Sequence, residues 1–220
     1  MKALFSQPRL NRWKHSTDRN SMPQTIAYTI DDRRYLSITD RCTLACEFCP
    51  KTKGSMQVHE HDLTFNHRPE TEEIIAAIGK VGDYSWIIFC GYGESTLRLK
   101  TMLEVASYVK QQGGLVRLNT DGLANLVHKR NVLPEMTGLI DAVSISLNAQ
   151  NEEVYNRHCI PALDHSWQAM LDFLQQAPAF IPEVTATAIN GLDGVDIEAC
   201  RRLAEERGAR FEQRQLDLVG

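Results

Sequence analysis

The residues best suited to chemistry in this chain are three cysteines, Cys42, Cys46 and Cys49, packed into eight consecutive positions. Thiolates favour zinc and iron-sulfur clusters. A structural zinc site or an ordinary cubane takes four protein ligands. This loop offers three, and none of the other cysteines, Cys90, Cys159 and Cys200, is an obvious fourth. Three thiolates on a cubane leave one iron open. An open coordination position is the mark of a catalytic metal site rather than a structural one.

Further polar residues sit where apolar runs end. The run at 86–90 (WIIFC) is followed by Gly91, Tyr92, Gly93, Glu94, Ser95 and Thr96. The run at 115–118 (LVRL) leads into Asn119, Thr120, Asp121 and Gly122. The run at 142–147 ends in Ser146, Leu147 and Asn148. Ser144 and Ser146 share one strand face, because side chains alternate with period two, and Asn148 continues that face. Ordinary turn and cap chemistry also accounts for Asn-Thr-Asp-Gly.

The elements that must carry these residues alternate. A β-rich ribbon over 25–30 precedes strands at 35–39 (YLSIT), 86–90, 115–118, 142–147, 184–189 and 211–216. Helical periodicity falls between them: residues 71–81 with Thr71 as candidate N-cap, 99–112 stopped by Gly113 and Gly114, 123–139 broken near Pro134, 166–176 and 197–207. Strand-helix alternation of this kind implies parallel β/α units with right-handed crossovers. About six strands follow the ribbon, too few for an eight-fold barrel, and both a partial barrel and an open doubly wound sheet satisfy the order. In either, ligands gather at the carboxyl ends of the strands.

Composition excludes several classes. A hydrophobic content of 43% supports a packed core, and a net charge of −4 gives no reason to expect nucleic-acid or anionic-membrane binding. No apolar run reaches the length of a membrane span, and no secretory segment opens the chain. Clustered cysteines in that setting point to metal in a reducing, cytoplasmic environment. Residues 1–24 stand apart: Lys2, Arg9, Arg12, Lys14 and Arg19 face the single acid Asp18. We read them as a basic, poorly ordered extension ahead of one domain over 25–220.

The CxxxCxxC spacing, the aromatic before the last cysteine and the preceding Thr39-Asp40-Arg41 resemble the signature of the radical S-adenosylmethionine (SAM) superfamily. The resemblance covers residues 35–215. It implies an α/β fold, a partial (β/α)6 TIM-like barrel that forms the minimal core of that superfamily. It also implies one [4Fe-4S] cluster on Cys42, Cys46 and Cys49, with SAM on the open iron. The glycine-rich stretch ending in Glu is matched by Gly91, Gly93 and Glu94, whose backbone would meet the methionine amino group. Ser95 departs from the family's usual proline. Asn119, Ser146 and Asn148, with Thr120 beside them, resemble ribose-binding positions. Phe48 would flank the adenine, and Thr187 and Arg214 are further candidates for adenine and carboxylate contacts. As a bare residue, Arg214 reads as a solvated surface charge.

At finer grain the runs GYGESTLRL and DAVSISLNAQNEEVY are similar to TatD family-linked radical SAM proteins, and more distantly to organic-radical activating enzymes and 7-carboxy-7-deazaguanine synthases. The implied reaction is reductive cleavage of SAM to a 5′-deoxyadenosyl radical that takes hydrogen from a small-molecule or nucleobase substrate, of oxidoreductase or lyase type. It needs an external electron donor of flavodoxin or ferredoxin type. A second copy or a partner protein would close the open side of so small a core. Competing readings are an activase that installs a glycyl radical on a partner, and a non-catalytic iron-sulfur or zinc module. Loops over 50–69 and 149–161 would cover the substrate. The run His59-Glu60-His61-Asp62 reads as a solvated polar loop, Cys159 as a packing residue, and Cys90 and Cys200 as core.

Overall fold

The structure is a computed structural model that describes residues 24–216. The expected basic extension over 1–24 lies, Gln24 apart, outside the described residues. In chain order the elements are β1 (Ala27–Ile30), β2 (Arg33–Leu36), β3 (Gln57–Val58), β4 (His61–Asp62), α1 (Thr71–Ile78), β5 (Trp86–Phe89), α2 (Leu99–Gln111), β6 (Val116–Thr120), α3 (Ala124–His128), α4 (Leu133–Met136), β7 (Ala142–Ser146), α5 (Glu152–Cys159), α6 (Ser166–Gln176), β8 (Glu183–Asn190), α7 (Ile197–Glu205) and β9 (Arg210–Gln215).

The main sheet runs β1-β2-β5-β6-β7-β8-β9. β1 is antiparallel to β2, and every later neighbour pair is parallel. Six parallel strands with helices between them form a partial TIM-like barrel. Alternation divides each strand between two environments. On β6, Val116, Leu118 and Thr120 are buried, with Val116 and Leu118 in the main core, while Arg117 and Asn119 point to the opposite face. Val143, Ile145, Val184, Ala186 and Ala188 continue the core on β7 and β8.

Helix faces complete that core. On α2 the buried residues are Leu99, Met102, Val105, Ala106 and Val109, one stripe at helical spacing. The helix ends where Gly113 takes φ +78°, a conformation glycine adopts without penalty. α1 begins one residue earlier than its Thr suggests. Glu70 is the N-cap, in a reciprocal capping box with Glu73, and Thr71 donates instead to Glu104 at 2.9 Å. The stretch expected as one broken helix over 123–139 is two short ones, α3 and α4, because Pro134 can open a helix but cannot continue one. Two segments expected as loops carry structure: β3 pairs with β4 as a hairpin, and α5 occupies most of 149–161 with Asn151 as its cap, accepting from Val154 N at 3.0 Å.

A polar knot fixes the helix-sheet spacing at the amino end. Lys110 Nζ lies 2.8 Å from both oxygens of Asp141, and Asp141 Oδ2 accepts the Val116 N–H at 2.8 Å. One partly buried carboxylate thus joins α2, β6 and the entry to β7. Asp141→Ala leaves a backbone donor and an ammonium without a partner. It should cost about 1–3 kcal/mol, read as a lower urea midpoint with an unchanged m-value. Asp141→Asn keeps an acceptor for Val116 and should lose less.

Candidate active site

The cysteine loop has almost no regular structure of its own, so its neighbours must shape it. On its amino side, the segment 37–41 is gripped by the turn after β5. Glu94 N donates to Arg41 O at 2.8 Å. A Cβ on Gly93 would fall 2.1 Å from the Thr39 carbonyl oxygen, and one on Gly91 2.5 Å from Ser37 Oγ. Gly93 is therefore required by the chain's own close approach, a reason separate from contact with a ligand, while Gly91 packs tightly on the Ser37 side chain.

On its carboxyl side the loop is tied to the end of α5. Ala45 N donates to Cys159 O at 3.1 Å, Glu47 N to His158 O at 3.0 Å, and Ala162 N to Thr43 O at 2.9 Å. The His158 ring, 2% exposed as a residue, spans Glu47 Oε1 at 2.5 Å and the Asp193 carbonyl at 2.7 Å. After Cys49, Thr52 Oγ1 reaches Cys46 O and Cys49 O at 2.8 and 2.7 Å and turns the chain away.

Beneath the loop, two buried carboxylates join the strand ends. Glu94 accepts from Thr96 N and Oγ1 at 2.9 and 2.7 Å, from Thr120 Oγ1 at 3.0 Å and from Asp121 N at 2.8 Å. Asp121 in turn accepts from Thr43 Oγ1 at 2.7 Å and from Leu123 N at 2.9 Å. Burial, and then the Glu94 charge, pushes the Asp121 carboxyl well above the usual carboxylate range. By sequence Asp121 reads as turn chemistry. Its side chain is the link between the cysteine loop and the Glu94 turn, and only the fold reveals that Thr43 lies opposite it.

All three loop thiols line one cavity of about 420 Å³. Burial pushes the Cys42 thiol up to about 12. Cys46 is raised by its hydrogen bond with Cys159 and by burial, and Cys49 by burial. Metal binding must therefore expel protons here. Among the described residues, no group of three His, Cys, Asp or Glu side chains is arranged around a single ion. A cubane presents a different demand, one thiolate for each of three irons.

The structure brings the other expected site residues to the same cavity: Phe48, Gly91, Gly93, Glu94, Asn119, Ser146, Asn148 and Thr187. Ser146, Thr187 and Glu212 form one row across β7, β8 and β9. Asn148 holds φ +60° just past β7. Its N–H donates to Thr187 O at 3.0 Å and its Nδ2 approaches Cys159 Sγ at 3.6 Å, while its buried Oδ1 has no partner. A buried acceptor left open is costly unless a ligand supplies the donor. Three thiols and an orphaned amide oxygen lining one cavity fit a cluster with an open iron and a hydrogen-bonding ligand beside it.

Two expectations are corrected. Cys90 is not a core residue: it lies on the inward face after β5, is partly exposed and lines the cavity. Arg214 is not a solvated surface charge: β9 turns it, half-buried, to the same cavity, with Arg117 from β6. Cys200 is fully buried core. Cys159 is core as expected, and it also touches the cysteine loop through Cys46. The ring of His61 packs on Tyr28 with centroids 5.3 Å apart.

No curated protein matches the chain in sequence. Solved structures match its fold. TYW1 with a lysine-pyruvate adduct bound superposes with a TM-score of 0.59 at 16% identity, over 84% of this chain and 64% of that one. Streptococcus suis SuiB bound to precursor peptide SuiA gives 0.64 at 11%, over 87% and 40%. Methylornithine synthase (PylB) gives 0.54 at 14%, over 83% and 54%. The chain thus spans less than two thirds of the length of each. The family model of the radical SAM superfamily matches residues 36–206. With that match over most of its length, this chain belongs to the radical SAM superfamily, enzymes whose cofactors are a [4Fe-4S] cluster and SAM.

Proposed function

We propose that Cys42, Cys46 and Cys49 hold the [4Fe-4S] cluster and that SAM lies along the strand-end residues beside it, in a radical SAM enzyme acting on a small-molecule or nucleobase substrate. The observation that carries this reading is the shared cavity: the three thiols, the polar ends of β5, β6 and β7, and Thr187 of β8 face one space. Bound there, the two cofactors supply a reductively generated 5′-deoxyadenosyl radical, fed by an external electron donor of flavodoxin or ferredoxin type.

The chain's own residues bind, orient and shield. The backbone after β5 is set against segment 37–41 by Gly93, and residues 91–94 line the cavity. Glu94 lines the cavity, and its carboxylate is also held from within. Its four internal hydrogen bonds make it the anchor of that turn. Asn148 Oδ1, Ser146 and Asn119 offer hydrogen bonds to a ribose, and Phe48 offers an aromatic face. Below them Tyr28, Tyr35, Arg117 and Glu212 line the remaining space. A largely apolar cavity of that size with a few polar groups suits a compact substrate of oxidoreductase- or lyase-type chemistry.

Protein reconstituted anaerobically with iron and sulfide, reduced with dithionite and given SAM should form 5′-deoxyadenosine, measured by mass spectrometry. Cys46→Ala should abolish it. An assembled cluster that neither binds nor cleaves SAM would replace this reading with that of a binding module. Glu94→Ala strands the Thr96 and Asp121 N–H groups, and should lower the stability of cluster-free protein by about 2 kcal/mol or more. A variant that loses SAM affinity at unchanged stability would instead make Glu94 a direct ligand contact.

A further inference from the structure

A second cavity, of about 550 Å³, lies outside the cysteine site. Its walls come from residues 38–41 ahead of the cysteine loop, residues 65–69 ahead of α1, and Leu97 and Arg98 at the start of α2. Arg41, Arg68 and Arg98 line it, and Asp40 is the one acid in the lining. Among the described residues none of these arginines forms an ion pair.

Arg98 is the informative member. It is 5% exposed. One Nη donates to Ile38 O at 2.8 Å and the other lies 3.4 Å from Thr101 Oγ1, but Nε is buried without a partner. A guanidinium is rarely buried without a carboxylate, because desolvation of the charge is then uncompensated. Burial and the neighbouring Arg68 charge disfavour its cation further, and Glu70 offsets part of that. Glu70 is itself occupied in closing the amino end of α1. His67, at the rim, is held by Glu73 Oε1 at 2.8 Å and by Gln24. The positive charge facing the cavity therefore belongs to the three arginines.

We propose that this cavity is an anion site that binds a phosphate dianion, free or as a small monoester, between Arg98 at its floor and Arg41 and Arg68. Three cations against one acid leave an excess that suits a dianion better than a single carboxylate. Guanidinium forks match the oxygens of phosphate in pairs. Phe65 and Leu97 add apolar wall beside the charges, and the volume is that of a small-molecule pocket. The proposal stands apart from the reading of the cysteine site, and its test needs no cluster.

The test is calorimetric titration of the full cluster-free chain, at low ionic strength, with phenyl phosphate, inorganic phosphate and benzoate. Both phosphates should bind, with benzoate at least about tenfold weaker. Arg41→Ala and Arg68→Ala should each weaken phosphate binding by about tenfold, the loss of one charge-assisted hydrogen bond. Arg210→Ala, which removes an exposed charge on β9, should change nothing. Equal affinity for the two phosphates means that recognition ends at the phosphoryl group; tighter phenyl phosphate means a monoester. Benzoate binding as tightly as phosphate, undiminished affinity in both arginine variants, or no phosphate binding at all would overturn the proposal.

Discussion

Glu94 is 4% exposed and its carboxylate accepts four hydrogen bonds, two from its own turn, one from Thr120 at the end of β6 and one from Asp121 just after it. A buried charge must be met in this way or it destabilises the fold. Meeting it forces the ends of β5 and β6 together. Asp121, drawn in beside it, is then in reach of Thr43 on the cysteine loop. Gly93 allows the same turn to lie against the Thr39 carbonyl. Remove the carboxylate or add a side chain at Gly93, and the platform under the thiols has no reason to keep its shape.

That platform explains how a loop without regular structure can present three thiols to one cavity. The loop is held by its ends. Segment 37–41 is fixed by the glycine turn, and residues 45–47 by the carbonyls at the end of α5. His158 reinforces the second attachment by bridging Glu47 and the Asp193 carbonyl. Rigid support of this kind is what a metal site needs, because ligands left to wander bind weakly.

The chain carries two cavities of different character. In one lie thiols, hydroxyls and an open amide oxygen. In the other lie arginines with little acid to balance them. The partial barrel makes this arrangement available: its strand ends, with Val58 of the hairpin, open on one cavity, while the segments ahead of the cysteine loop, α1 and α2 wall the other.

Much of the fold was legible in the sequence because its signals are local. The cysteine spacing, the glycine turn and the apolar runs with polar ends specify the strand-helix order and the metal chemistry with no long-range information. Placement of Ser146, Asn148 and Thr187 on the cavity wall follows from strand periodicity once the register is set. The chain alone did not reveal that Glu94 is held by four internal hydrogen bonds, that Asp121 braces the cysteine loop, or that Cys90 faces the cavity. Each depends on which residue lies opposite across the sheet, as Thr43 does for Asp121, 78 positions away. The arginine cavity is further from view still. Arg41, Arg68 and Arg98 share no periodicity, and only tertiary packing brings them to one space and leaves one of them buried without a counter-ion.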